Sequence, residues 1–169
     1  MITLRWFSIA CCLLLSGGSI AAQSAGGTAA TSRPARDTTT AAALRFGFGE
    51  VSGWVTKAAD LVPADKYSYR PAQTVRTFGQ QIAHIADSYN YYCARAAGRT
   101  VQWSDAIEKG STDKATLLPK LRQSVDACAA AYAGTASTGP GFANIAHTNL
   151  HYGNIITYMR MLGLTPPSS

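Results

Sequence analysis

The sequence lacks the alternating apolar and polar runs that mark β-strands, and it has no internal repeat and no long low-complexity tract. A sheet-based fold and a repeat array are thereby set aside. A run of basic residues is also missing. The formal charge is +6, or +5 without Arg5, yet Arg70, Arg76, Arg95, Arg99, Arg122 and Arg160 stand apart, with no basic–aromatic repeat. Tracking a phosphate backbone needs a contiguous patch, so nucleic acid is not the expected partner. No apolar stretch reaches the roughly 20 residues that a bilayer span needs, which excludes a permanent anchor. Cysteine is sparse, four in the chain and never as CxxC, which removes a redox-active dithiol.

What is present begins with a leader. Arg5 precedes an apolar run over residues 6–15, and small residues follow to Gln23. This is the pattern of a secretory signal peptide over residues 1–23, with cleavage expected between Ala21 and Ala25. Cys11 and Cys12 do not make a lipidation site, because the apolar segment before them is too short and the flanking residues fit badly. A periplasmic or secreted protein is expected. Residues 24–38, rich in Gly, Thr, Ala, Ser and Pro, read as a flexible linker. Export leaves Cys93 and Cys128 as a pair in an oxidising compartment, where an even count favours a disulfide over two buried thiols. Helical pattern alone leaves their register open, since antiparallel neighbours would set Cys93 against the early part of the third helix.

Residues 39–169 carry four helical patterns. Leu44, Phe48, Val51, Val55, Ala58 and Val62 give a first helix, with N-cap hydroxyls at residues 38–40 and an end at Pro63. Thr74 is the expected cap of the second, whose apolar stripe is Val75, Ile82, Ala86, Tyr89, Cys93 and Ala96 and whose stop is Gly98. The third has Leu118, Leu121, Val125, Cys128 and Tyr132 on its buried stripe. Pro119 would kink it if it began at Ser111 or Thr112. The fourth covers residues 141–163, with Phe142, Ile145, Asn149, Tyr152, Ile156 and Met159 as its apolar stripe. An all-α, four-helix bundle is the expected fold.

The last helix holds two of the three histidines, His147 and His151, one turn apart on one face. They lie in a polar stripe with Asn144, Asn154 and Tyr158. The second helix has a matching stripe of Thr77, Gln81, His84, Ser88 and Tyr91. Every histidine therefore falls in one of two polar seams. Three neutral imidazoles from two helices suit one divalent metal and leave its fourth position open, as catalytic zinc sites do. Zinc is the first candidate, and nickel, iron or copper also accept three imidazoles. The plainer alternative is three hydrogen-bonded interior histidines. No carboxylate lies in the seams; Asp87 is off the seam and could only support His84 from behind. Gln81, Ser88, Tyr91, Asn144, Asn154 and Tyr158 are the candidate pocket residues.

These segments resemble the DinB-like superfamily, the DinB/YfiT group of metalloenzyme-type bundles. The resemblance covers about residues 43–169. It rests on LVPADKYSYRP leading into VRTFGQQIAHIADSYNYYCA, and on AHTNLHYGNIITYMRMLGLTPPSS at the end. It implies a bundle with a long crossover and a divalent metal held by His84, His147 and His151. Exported relatives share both cysteine positions, which implies a Cys93–Cys128 disulfide. Relatives often pair through helix faces, which implies a homodimer. Characterised relatives are thiol-dependent S-transferases and isomerases that use thiols such as bacillithiol or mycothiol. That activity transfers poorly to an exported chain with no recognisable thiol-cofactor motif. The expected function is a metal-dependent enzyme of hydrolase or thiol-transferase type acting on a small molecule. The alternatives are a metal or small-ligand binding module without turnover, and a bundle used only for association.

Overall fold

Thr39 caps the first helix, α1 (Thr40–Leu61), its hydroxyl accepting the Ala42 N–H at 3.2 Å. The structure is a computed structural model and describes residues 39–134 and 137–169. The expected signal peptide and linker lie outside the described residues. As the periodicity requires, Leu44, Phe48, Val51, Val55, Ala58 and Val62 are all buried. A single 3-10 turn, Ala64–Lys66, follows, and the connection then leads to α2 (Phe78–Ala96).

The cap of α2 is Thr77, not Thr74. Its hydroxyl accepts the Gln80 N–H at 3.1 Å, and the Gln80 side-chain carbonyl accepts the Thr77 N–H at 2.8 Å. This reciprocal box satisfies two helix-end donors that a cap at Thr74 would leave unpaired. The correction leaves Val75 exposed outside the helix and sets Arg76 immediately before it. Gly98, in the left-handed region at φ 79°, closes the far end as expected.

α3 (Lys114–Ala133) begins after Asp113, whose carboxylate accepts the Thr116 N–H at 2.9 Å. That later start places Pro119 in the second turn, where its ring forgoes a single bond to the carbonyl of Ala115. The buried face is Leu117, Leu121, Ser124, Cys128 and Tyr132. It is turned one residue from the expected stripe, so Leu118 and Val125 sit at its margin. α4 (Thr138–Met161) differs more. Phe142 and Asn149 are exposed, while Asn144, Thr148, His151 and Tyr158 from or beside the polar stripe are buried. The polar seam therefore faces inward.

Neighbouring pairs are α2–α3, α2–α4, α1–α4 and α1–α3, so α1 lies diagonally across from α2. The directions follow from side-chain contacts. Leu44 meets the backbone at Gly141, and Trp54 stacks on Tyr152 further along, so α1 and α4 run together. Cys93 near the end of α2 is bonded to Cys128 near the end of α3, with Cα atoms 5.1 Å apart, so these two also run together. Parallel neighbours need a long return, and residues 97–113 supply it. This arrangement removes the register difficulty that an antiparallel pair would have posed for the disulfide. Edge-to-face contacts of Phe48 with Tyr89 at 5.3 Å and Tyr132 at 5.1 Å fill the centre next to it.

The crossover docks closely on α2. Gly79 donates its N–H to the Tyr67 carbonyl at 2.8 Å, and a Cβ there would collide with the carbonyl of Thr112. Lys114 ties the start of α3 to the end of α1 by donating to the carbonyls of Asp60 at 2.6 Å and Val62 at 2.9 Å. Among the described residues no helix is long and apolar enough to cross a membrane.

The disulfide closes a loop with a sequence separation of 35. Chain-entropy arguments give such a link about 3–4 kcal/mol. A Cys93→Ser/Cys128→Ser variant should lose that amount of unfolding free energy in a denaturant titration, with its helical circular dichroism intact in the absence of denaturant.

Candidate metal centre

α2 and α4 each contribute the inward seam of an antiparallel pair, and the seams meet at the histidines. Ring centroids lie 5.1 Å apart for His84 and His147, 4.6 Å for His84 and His151, and 4.5 Å for His147 and His151. One ring nitrogen from each falls within 4.8 Å of the others. Tetrahedral coordination with bonds of about 2.0–2.1 Å sets its nitrogens about 3.3 Å apart, so small side-chain adjustments suffice.

Hydrogen bonding prepares two of the rings. His151 donates Nδ1–H to the side-chain carbonyl of Gln81 at 3.0 Å. His84 Nδ1 lies 2.9 Å from Glu108 Oε2. Both contacts use Nδ1 and leave Nε2 with a free lone pair, the tautomer in which histidines are oriented for a metal. His147 has a buried Nδ1 with no hydrogen-bond partner among the described residues. A buried nitrogen left unpaired is unfavourable unless something absent from the protein itself satisfies it. Burial, with the charge on nearby groups adding to it, pushes both His147 and His151 down to about 4. Two neutral, desolvated imidazoles are good ligands. The residues present fit a divalent ion.

Glu108 was not legible in the sequence. It comes from the crossover, not from a helix, and accepts Arg76 Nε on Oε1 at 2.6 Å while its other oxygen meets His84. Asp87 fixes it there. Its carboxylate accepts the Ile107 N–H at 3.1 Å and the Glu108 N–H at 2.9 Å. Asp87 thus supports His84 indirectly, through the backbone of a residue that touches it. Asp105 joins Glu108 and His84 in a second cluster of ligand-type atoms within 4.8 Å. It also accepts the indole N–H of Trp103 at 2.6 Å. Trp103 covers the centre from outside, with its ring 5.4 Å from His84 and 5.9 Å from His147.

The candidate pocket residues divide. Gln81 and Asn154, with Arg76, Gln80, Glu108 and His151, line a cleft of about 500 Å³ that opens beside the triad. Tyr91 packs against Trp103 at 5.3 Å on the opposite side, and its hydroxyl accepts from Arg95 at 2.6 Å. Tyr158 donates its hydroxyl to the Arg76 carbonyl at 3.0 Å, a structural bond that holds the cleft wall. Ser88 and Asn144 do not belong to the pocket. Ser88 is buried and donates to the Ile85 carbonyl at 2.7 Å. Asn144 sits beside the disulfide and donates to the Tyr132 hydroxyl at 3.0 Å. Helical spacing puts both in the seams, but each is fully buried on the disulfide side of the histidine layer, where the helices close on one another.

A four-helix bundle with an inward-facing triad of histidines and an open side cleft defines a class of metal-site bundle. The model of the DinB superfamily matches residues 54–159, and the chain belongs to that superfamily. That span contains all three histidines, both cysteines of the disulfide and Glu108. No curated protein and no solved structure matches the chain.

Two outcomes follow from this geometry. Metal-free protein should lose stability as the pH falls from 6.5 toward 4, because the unfolded chain protonates its histidines at their ordinary value while folded His147 and His151 stay neutral to about 4. Urea titrations of apoprotein across that range check the sign. Glu108→Gln should weaken zinc binding by about 10–100-fold with little change in fold, as measured by competition with a chromophoric chelator.

Proposed function

We propose that this is an exported divalent-metal-binding protein with His84, His147 and His151 as the ligands, zinc being the first candidate, and that it acts as a metal-dependent enzyme of hydrolase or thiol-transferase type. The observation that carries the reading is the convergence of the three rings from two helices, at centroid spacings between 4.5 and 5.1 Å. The unpaired Nδ1 of His147 supports it over histidines that are merely part of the core. A bound divalent ion would supply Lewis-acid polarisation and lower the pKa of a coordinated water or thiol.

The protein's own residues have separate tasks. Gln81 and Glu108 hold the His151 and His84 rings in the ligating tautomer. Trp103, Tyr91 and Tyr92 restrict water on one side, while the cleft admits a small molecule on the other. The Cys93–Cys128 disulfide supports export, since such links persist in oxidising compartments.

Protein purified from the periplasm should contain about one divalent ion per chain by elemental analysis, and a His147→Ala/His151→Ala variant should contain almost none. Equal, negligible metal in both samples would return the histidines to a purely structural role. Turnover of ester, amide and thiol panels by the loaded protein separates an enzyme from a binding module.

A further inference from the structure

We propose that the cleft beside His151 binds the carboxylate of a small-molecule ligand, between the guanidinium of Arg76 and the amide NH2 groups of Gln80 and Gln81. The inference rests on the metal-centre reading and names the substrate class for it.

The hydrogen-bonding capacity left over on the Arg76, Gln80 and Gln81 wall of the cleft is on the donor side. Gln80 has its carbonyl occupied by the Thr77 N–H, so its NH2 is the end left for a ligand. Gln81 has its carbonyl occupied by His151, with the same result. Arg76 spends only Nε, on Glu108, and among the described residues no acceptor takes its two terminal nitrogens. The one carboxylate in the cleft, Glu108, already accepts on both oxygens. On this wall the groups left over are donors, and they match a ligand that supplies acceptors; Gln73, Thr74 and Asn154 line other parts of the cleft. The wall is also held in place: Tyr158 fixes the Arg76 carbonyl, and the capping box fixes Gln80. A cleft of about 500 Å³ accommodates an organic molecule and not only an ion.

A carboxylate suits this wall better than a phosphate. Helix starts bind phosphate through free N–H groups, but here those groups are spent. Phe78 donates to the Tyr69 carbonyl at 2.8 Å, Gly79 to the Tyr67 carbonyl at 2.8 Å and Gln80 to the Thr77 hydroxyl at 3.1 Å. One guanidinium already paired with Glu108 is too little positive charge for the two charges that a single phosphate group carries, whereas each carboxylate group brings one. A planar fork with two amide donors matches the two oxygens of one carboxylate.

The test is calorimetric titration of zinc-loaded protein with succinate, with its neutral counterpart succinamide and with inorganic phosphate. Wild type is expected to prefer succinate to succinamide by about tenfold or more. Arg76→Met should reduce that preference to less than about threefold, with metal content followed in the same samples by elemental analysis. Arg76→Lys should keep part of it. Equal binding of succinate and succinamide, or no binding of either, overturns the proposal. So does a preference that survives Arg76→Met at full metal content, which would mean that the metal alone takes the carboxylate, and so does tighter binding of phosphate. If Arg76→Met loses zinc, the same comparison on metal-free proteins decides the matter. Wild type that never takes up zinc sinks the metal reading separately, because the preference for succinate is still measurable in the apoprotein.

Discussion

Gathering three imidazoles where two helices meet, two of them buried and one half-buried, is the constraint around which the rest of this molecule is arranged. Polar groups removed from water must find partners, and a buried cation without a counter-charge is worse than a buried neutral ring. The chain meets this demand asymmetrically. Gln81 reaches His151 from the same helix layer, whereas His84 is met by a carboxylate brought in from outside the bundle. The third ring, His147, keeps one buried nitrogen without a hydrogen-bond partner among the described residues.

The crossover is the physical answer to the asymmetry. Because α2 and α3 run in the same direction, residues 97–113 must travel the length of the bundle to join them. They pass over the α2–α4 face on the way. Asp87, buried on α2, catches the backbone of that strap at residues 107 and 108 and so sets the position of Glu108. A salt link to Arg76, half-exposed before the next cap, completes the arrangement. A charged group on an irregular segment is held here by an interior carboxylate and a flanking cation, not by packing.

Much of this was legible from residue spacing, and the exceptions have specific causes. The α1 stripe from Leu44 to Val62 was read directly, because that helix buries one continuous apolar face. The α4 face was read a step off. The alternation that assigns Phe142 and Asn149 to the apolar stripe places them inside, yet both are exposed, whereas Asn144 of the polar stripe and Thr148 beside it are buried with Tyr152 and Met159. The start of α2 was misplaced because Thr74 resembles a cap, although Thr77 with Gln80 three residues on is the stronger signal. Convergence of the histidines followed from their seams. Glu108 did not, since a connection without periodicity gives no register against the helices it crosses.

The strap over the histidines has a consequence for how reactivity and folding are divided. Helix packing is secured by the aromatic centre and the disulfide, neither of which involves residues 97–113. Outside its docking points on Gly79 and Asp87, a segment so placed can change length or exchange side chains at the modest entropic penalty of a longer loop. The scaffold thereby separates the residues that hold the fold from those that set reactivity. New chemistry at the imidazole cluster would then arise by rewriting one surface ribbon while the barrel of helices beneath it stays unchanged.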